Sequence, residues 1–165
     1  MSAILSPNGQ FRYRLEREVT PLGGHVIGYF GINPSTADAT EDDATVRKWI
    51  GFTKVMGGSR FIVGNVCAHR ATEVGDLANI DLQAVDFELN RTHILQIIAD
   101  ADVLVPCWGD RKKAPKWLQA EFDVVLGLLR SSGKPVQHFG LTKGGDPRHP
   151  LMLGYDTPMV LLEAT

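Results

Sequence analysis

Val26-Ile27-Gly28-Tyr29-Phe30-Gly31-Ile32-Asn33-Pro34-Ser35-Thr36 is a short apolar run that ends abruptly in Gly, Asn, Pro and Ser. Its length and its boundaries at Gly24 and Pro34 predict a buried strand. Because Pro34 prevents Asn33 from continuing into a helix, we expect the Asn side chain on an extended turn with its amide available. Open α/β sheets bind ligands at the carboxyl ends of their strands, so this turn is expected at the centre of the functional site.

Three further apolar runs predict buried strands, at residues 61–67, 101–109 and 134–140. Apolar residues at helical spacing predict three helices between the strands. Thr40 or Asp42 is expected to cap the first helix, which ends at Gly57 and Gly58. The second covers residues 90–100 and starts as early as 82 in one interpretation, and the third covers 115–131.

The start and the end of the chain are expected to lie at the edges of the sheet. Alternating apolar and basic residues around the turn Pro7-Asn8-Gly9 predict a β-hairpin, and residues 160–162 predict an edge strand. Strands that alternate with helices predict a three-layer α/β/α fold with a central, mainly four-stranded parallel sheet plus the N-terminal β-hairpin.

The composition is that of one globular domain. With 165 residues, 44% of them hydrophobic, the chain is long enough to bury a sizeable core, so we expect a single domain over residues 1–165. No apolar run approaches the roughly 20 residues of a membrane span, so we expect a cytoplasmic protein that has no membrane partner. Cys67 and Cys107 are expected to be buried free thiols. A net charge of −2 argues against coating nucleic acid through bulk charge, although local basic patches remain possible.

Polar side chains follow each predicted strand at the point where that strand ends. Because the carboxyl ends of parallel strands share one edge of a sheet, we expect these side chains to converge there. They are Asn33, Asn65 with His69 and Arg70, Trp108 with a basic run, and Lys143 with Arg148 and His149.

Two of these side chains have alternative interpretations. Asn65 interrupts an apolar strand, and a buried amide costs about 1–3 kcal/mol if it has no partner. Its donors and acceptor suit the edge of a nucleobase, but a tie between two loops is equally compatible. His149 is the best candidate acid or electrophile, because Arg148 should disfavour its charged form, although a loop histidine is often incidental.

The Trp108-Gly109 pair and the charged segments also allow two interpretations each. Trp108 can cap the core, or Gly109 can permit close approach of a ligand. The basic residues 111–116 are a solvated helix start or, because cations oppose the helix dipole, a site for an anion. Asp38, Glu41, Asp42 and Asp43 offer carboxylates for Mg²⁺, but a solvated capping turn is the preferred explanation, and we expect no metal and no cofactor.

Four motifs resemble those of the uracil-DNA glycosylase superfamily. Gly31-Ile32-Asn33-Pro34 resembles its first motif, in the mismatch-specific variant in which Asn replaces the catalytic Asp, and residues 61–65 resemble its second strand, whose terminal Asn reads the base edge. Residues 103–109 with the basic residues after them resemble its strand that ends in Trp-Gly. His149-Pro150 resembles its last motif, where His contacts the base oxygen. More closely, residues 31–43, 65–72 and 140–151 are similar to a bacterial and phage family that is described as a domain of unknown function, and this similarity runs from about residue 11 to 153.

The glycosylase resemblance implies cleavage of the N-glycosidic bond to a flipped-out base. It implies that Asn33 orients a water molecule, Asn65 reads the base and His149 stabilises charge on the base oxygen. Asn33 and His149 are thus the predicted catalytic residues. The predicted substrate-binding residues are Gly31, Ile32, Pro34, Ser35, Asn65, His69, Arg70 and Trp108, and the predicted phosphate-binding residues are Lys112, Lys143 and Arg148.

The sequence departs from the glycosylase pattern in three ways. Asn33 cannot act as a general base, Leu151 stands after Pro150 where a Ser-Pro pair is usual, and the acidic segment 38–43 would repel a DNA backbone. Three hypotheses therefore stay open: a glycosylase-like enzyme, which we favour, a hydrolase or transferase of a small nucleotide or nucleoside, and a non-catalytic nucleobase-binding module. The partner is a nucleic acid or a nucleotide, and the sequence does not determine the base, the strand state or the oligomeric form.

Overall fold

The computed structural model describes residues 1–163, and its main element is a five-stranded mixed sheet in the order β1-β2-β4-β3-β5. The strands are β1 (Ser2–Leu5), β2 (Arg12–Glu18), β3 (His25–Gly31), β4 (Gly58–Asn65) and β5 (Val103–Pro106). The strand β3 pairs in parallel with both β4 and β5. The hairpin β1-β2 joins β4 in an antiparallel arrangement, which confirms the predicted hairpin at the sheet edge.

Three helices connect the strands: α1 (Ala44–Val55), α2 (Phe87–Asp100) and α3 (Gln119–Ser131). The prediction that Thr40 or Asp42 caps α1 is wrong, because the cap is Asp43, whose Oδ1 accepts from the Val46 amide at 2.9 Å. Asp42 instead binds Arg17, with 2.7 Å between Oδ1 and Nε. Short 3-10 helices occupy Val74–Asn79, Leu82–Ala84, Arg111–Lys113 and Lys116–Leu118.

The predicted fourth parallel strand does not form. Only β6 (Gln137–His138) appears there, and it pairs antiparallel with β7 (Val160–Leu161). The predicted C-terminal strand thus forms, but in a separate two-stranded sheet and not at an edge of the central sheet. Val136 makes a single parallel bridge to Leu104 of β5. Pro135 has no amide hydrogen to donate to a ladder, and the Val136 carbonyl accepts from Leu162, so a continuous pairing with β5 does not develop.

Apolar side chains cover both faces of the sheet because successive residues of a strand point to opposite sides. One face packs against α2 and α3 and the other against α1. Cys67 and Cys107 are buried free thiols, as predicted, and burial raises the pKa of the former to about 11 and of the latter to about 12. Within residues 1–163, none of the helices combines the length and the apolar character that a membrane crossing needs.

The register of the parallel strands determines where their polar ends lie. Gly31 stands opposite Asn65, and Phe30 stands opposite Pro106. The three parallel strands therefore end side by side, and the segments that follow them meet at one edge of the sheet.

Candidate functional site

A cavity of about 380 Å³ lies at this edge, within the size range of small-molecule sites. Seven of the predicted site residues line it: Gly31, Ile32, Asn33, Ser35, Asn65, Trp108 and His149. The sequence analysis did not assign a site role to several other lining residues, among them Arg12, Trp49, Glu73 and Leu151, and it considered Asp43 only for a metal or a cap. The structure thus brings the ends of three strands, the start of α1 and the His149 loop together around one space.

Asn33 is held by its amide nitrogen. Its Nδ2 donates to the carbonyl oxygens of Pro34, at 3.0 Å, and Ala71, at 2.8 Å. Both amide hydrogens are therefore used, and no residue in the described part of the chain donates to Oδ1. Since Asn33 lines the cavity, the group that it offers to a ligand is this oxygen, which is an acceptor.

Asn65 is buried, with 2% of its surface exposed, and its Nδ2 has no hydrogen-bond partner among residues 1–163. Its Oδ1 is so close to Gly31 that a Cβ atom at that position would lie 3.0 Å away. Gly31 therefore provides the space that the Asn65 side chain occupies. Because an unpaired buried amide costs about 1–3 kcal/mol, a ligand that accepts a hydrogen bond from this amide would be stabilised in the cavity.

His149 has a defined tautomer in its neutral form. Its Nδ1 accepts from the Leu151 amide at 3.2 Å, so the hydrogen of the neutral ring is on Nε2. The pKa of His149 is lowered, first by burial and then by Lys113, while Asp43 opposes the shift. The predicted direction is therefore right, but the predicted cause is wrong, because burial and Lys113 lower the pKa, whereas Arg148 is exposed.

The lowered pKa of His149 predicts a loss of stability in acid. Between the unfolded pKa of about 6.5 and the lower folded value, the unfolded chain binds more protons, so stability falls as the pH decreases through this window. We expect wild type to lose more unfolding free energy between about pH 7.5 and about pH 5 than His149→Gln does. Urea unfolding of both proteins measures this difference. The pKa of His93 is also lowered, but His93 is present in both proteins, so its contribution cancels in the comparison. Equal losses would contradict the assignment.

Trp108 and Gly109 connect β5 to the His149 loop. The Gly109 amide donates to the Pro147 carbonyl at 2.8 Å, and a Cβ atom at Gly109, whose φ is +76°, would lie 3.2 Å from the His149 Cβ. The Trp108 ring packs edge-on against Phe122, and its Nε1 is buried without a partner in the described chain. Trp108 therefore caps the core and also lines the cavity, whereas the close approach that Gly109 permits is to the His149 loop.

Three predicted substrate-binding residues do not line the cavity: Pro34, His69 and Arg70. Pro34 supplies carbonyl contacts to Asn33 and to the Ala71 amide. His69 packs edge-on against Phe11, with ring centroids 5.3 Å apart. The guanidinium of Arg70 donates to backbone carbonyls of the hairpin turn and of the loop after β3, which joins these two segments.

The predicted phosphate-binding residues Lys112, Lys143 and Arg148 are exposed, and the cavity lining does not include them. In the same basic run, Arg111 binds the buried carboxylate of Asp146, with 2.9 Å between Nε and Oδ1, and also Asp123. The basic run was expected to bind an anion, and for Arg111 this anion is a carboxylate of the protein itself.

The acidic segment before α1 has protein partners. Asp38 accepts from the amides of Thr40 and Glu41, Asp42 pairs with Arg17, and Asp43 caps α1. In the described part of the chain, no three His, Cys, Asp or Glu side chains are grouped so that they could hold a metal ion. A capping turn therefore accounts for Asp38 and Asp43, whereas Asp42 is held by an ion pair with Arg17.

The sequence analysis did not identify Arg12 and Asp43 as cavity residues, and only Asp43 had a recognisable sequence signal. Arg12 is the first residue of β2 and is only 2% exposed, although its place in an alternating apolar and basic strand indicated an exposed side chain. The signal for Asp43 was its position directly before the helical pattern, where a capping carboxylate is common. Both were missed because the hairpin and the start of α1 reach the cavity only through tertiary packing.

Comparison with known proteins gives a family but no activity. Residues 12–151 match the family whose description reads "Protein of unknown function (DUF1643)". No curated protein and no solved structure matches the chain. The matched segment begins at Arg12 and ends at Leu151, and both residues line the cavity. Since the match spans most of the chain and agrees with the resemblance of residues 31–43, 65–72 and 140–151, the protein belongs to the DUF1643 family of proteins of unknown function.

Proposed function

We propose that the protein is a hydrolase that cleaves the N-glycosidic bond of a uracil-like or modified pyrimidine base, with a nucleic acid or a nucleotide as its partner. The observation that carries this proposal is the buried, unpartnered amide of Asn65 in the cavity that Asn33 and His149 also line. A pyrimidine carbonyl is an acceptor that satisfies this amide, and the edge of the base is complementary to it.

Asn33 and His149 offer the two groups that such a reaction needs beside the base. The Asn33 Oδ1 accepts a hydrogen bond from a water molecule and so orients that water towards the anomeric carbon. The His149 Nε2–H donates to a base oxygen and stabilises the negative charge that develops on the leaving base. Neutral imidazole suits this role because the ring is a donor there, and the lowered pKa of His149 keeps it neutral.

The amide of Asn33 cannot accept a proton, so in the proposed reaction the carboxylate of Asp43 is the general base. It lines the same cavity, and one of its oxygens caps α1 while no described residue donates to the other. In the proposed step the water oxygen bonds to the anomeric carbon and the C–N bond breaks. The bonding electron pair leaves with the base, and the water proton passes to Asp43.

The fold agrees with this proposal. Helices on both faces of the sheet support a three-layer α/β/α arrangement like that of the uracil-DNA glycosylases, with the ligand at the carboxyl ends of the parallel strands. The free thiols of Cys67 and Cys107 support a cytoplasmic location.

One observation favours a second candidate, a hydrolase or transferase of a small nucleotide. The carboxylates of Asp43 and Glu73 line the cavity, whereas the exposed cations Lys112, Lys143 and Arg148 do not. Acidic groups in the cavity lining repel a polyanionic backbone more strongly than they repel a single nucleotide.

Base release from uracil-containing, thymine-mismatched and 5-substituted pyrimidine oligonucleotides tests the proposal. We expect wild type to release the free base and Asn33→Ala and His149→Ala to do so about 10- to 100-fold more slowly, the value of one hydrogen bond to a charged group. His25→Ala is the control, because His25 is exposed at the opposite end of β3.

Three results contradict the proposal. Equal rates in wild type and the two variants would remove Asn33 and His149 from the chemistry. No release, with mononucleotide binding that depends little on salt, would favour the small-nucleotide enzyme, since gripping many phosphates gives a steep salt dependence. Binding that Asn33→Ala leaves unchanged, with no release from oligonucleotide or nucleotide, would indicate a binding module.

A further inference from the structure

Arg12 is a buried cation on the cavity wall, and it forms no ion pair with any residue in the described part of the chain. Its side chain is 2% exposed, and its Nη1 donates to the Ala37 carbonyl. Its Nε is buried without a hydrogen-bond partner among residues 1–163, and none of the ion pairs of that part of the chain includes Arg12. One neutral carbonyl is thus its only described hydrogen-bond acceptor.

Two neighbouring arginines also bind the loop after β3. Fixing this loop therefore does not require a buried guanidinium with unused donors. Arg17 binds the carbonyls of Asp38 and Glu41 and pairs with the carboxylate of Asp42. Arg70 binds the carbonyls of Ser35 and Thr36. Both guanidinium groups use several donors on the protein and lie outside the cavity lining, whereas Arg12 lines the cavity and leaves donors unused.

A buried charge without a counter-ion is costly, and such charges are normally paired. Burial lowers the pKa of Arg12 to about 10, so the group is still a cation at neutral pH. The negative charge of Asp43 stabilises the protonated form of Arg12 and raises its pKa, whereas the positive charges of Arg17 and Arg70 lower this pKa. The protein therefore holds in the cavity wall a desolvated cation that forms no ion pair within the described chain.

Two other buried atoms of the wall that have no partner in the described chain are also donors. The Nδ2 of Asn65 and the Nε1 of Trp108 are buried donors without acceptors. Together with the Arg12 guanidinium and the His149 Nε2–H, they give the wall four donor groups beside the acceptor oxygens of Asn33 and Asp43, so a matching ligand brings acceptors to these donors.

We propose that Arg12 binds an anionic group of the ligand, either a carboxylate on the base or a phosphate on its sugar. This inference rests on the proposed function for the placement of the base against Asn65. The planar guanidinium, with donors free on one edge, matches the oxygens of either group. The ligand class is thus an acidic pyrimidine or a pyrimidine nucleotide.

Calorimetric titration with matched neutral and anionic probes tests the proposal and distinguishes the two sources. The probes are uracil against 5-carboxyuracil, and uridine against uridine 5′-monophosphate. We expect wild type to bind one anionic probe about 10- to 100-fold more tightly than its neutral counterpart, the range for a hydrogen bond to a charged group. Preference within the first pair identifies a base carboxylate, and preference within the second pair identifies a phosphate.

Two variants assign the preference to Arg12. Arg12→Gln keeps a donor for Ala37 but removes the charge, so the anionic preference should disappear while the affinity for the neutral probe is unchanged. Arg47→Gln is the control, because Arg47 is exposed, binds the Asp42 carbonyl of the same loop and lies outside the cavity lining. If Arg12→Gln does not fold, Arg12→Lys decides: it keeps the charge but loses the planar fork, so it should weaken binding of the anionic probe alone.

Equal affinities of wild type for both members of each pair, or no binding of any probe, would overturn the proposal. A preference that survives in Arg12→Gln would overturn it as well. These results are distinguishable from failure of the proposed function. Base release without any anionic preference overturns only the role of Arg12, whereas an Arg12-dependent preference in a protein that releases no base overturns only the hydrolase.

Discussion

Replacement of Asp43 by Asn is expected to slow base release about 10²- to 10⁴-fold, the usual contribution of a general base, while the protein stays folded. Asn caps helices about as well as Asp does, so the bond from the Val46 amide to Oδ1 is retained and α1 begins at the same residue. The variant therefore removes the charge and the proton-accepting ability of the side chain without removing its structural contact. Single-turnover base release and thermal unfolding of the same samples measure the two properties.

Glu41→Gln is the matched control for this change. Glu41 is an exposed carboxylate of the same segment, it lies outside the cavity lining, and only its backbone carbonyl and amide make contacts in the described structure. The control removes the same charge from the segment, so a rate loss in both variants would indicate a general electrostatic effect. A rate loss confined to Asp43→Asn assigns the proton transfer to Asp43.

The imidazole of His149 gives a second readout that does not depend on catalysis. Asp43 opposes the lowering of the pKa of His149, so the pKa should fall further in Asp43→Asn. Titration of the His149 ring by NMR measures this shift in the free protein. An unchanged pKa together with an unchanged rate would show that Asp43 acts only as a helix cap.

Local sequence patterns predicted the central part of the cavity well. The apolar residues of the stretches 26–36 and 61–67 belong to β3 and β4, which end side by side, and their register places Gly31 beside Asn65. Trp108 and His149 reach the same space, since β5 lies next to β3 and Gly109 binds the His149 loop. Convergence of parallel strand ends is a topological rule, so apolar runs and their polar ends were sufficient for this part.

Contacts that cross the sheet were not predictable in the same way. Arg12 reaches the cavity because β2 pairs antiparallel with β4, and no local pattern specifies that pairing. Arg111 looked available for a phosphate because Asp146, its partner, is distant in sequence. The predicted fourth strand failed for a related reason, since an apolar run around Pro135 does not reveal that its partner is β7.

Asn33→Asp is expected to destabilise the protein by about 2–4 kcal/mol at neutral pH. We expect no increase in its rate of base release. The Nδ2 of Asn33 donates to two carbonyl oxygens, of Pro34 and Ala71, and a carboxylate would place an oxygen against both. Two hydrogen bonds are lost and a repulsive contact is added. The result matters because the uracil-DNA glycosylases, whose first motif this sequence resembles, carry a catalytic Asp where this chain has Asn33.

The pH dependence of this destabilisation identifies its cause. A protonated carboxyl can donate to one of the two carbonyls, so the folded state should raise the pKa of the new group above its unfolded value of about 3.9. The folded chain then binds more protons than the unfolded chain, and stability falls as the pH rises through that window. Urea unfolding at about pH 4 and about pH 7.5 measures the difference from wild type. Asn33→Ala loses the same hydrogen bonds without a charge, so its deficit should be the same at both pH values.

An Asn33→Asp variant as stable as wild type at neutral pH would contradict this account and would mean that the loop around Ala71 moves to accept the carboxylate. If the deficit appears, the two carbonyls explain why this position carries an amide. The two carbonyls fix the Nδ2 of Asn33 through hydrogen bonds, and only an amide can donate to both while it presents an oxygen to the cavity. In the proposed hydrolysis, a chain with this loop cannot use residue 33 as a base, so the proposal assigns the water proton to another carboxylate of the cavity wall, and Asp43 has an oxygen that no described residue binds.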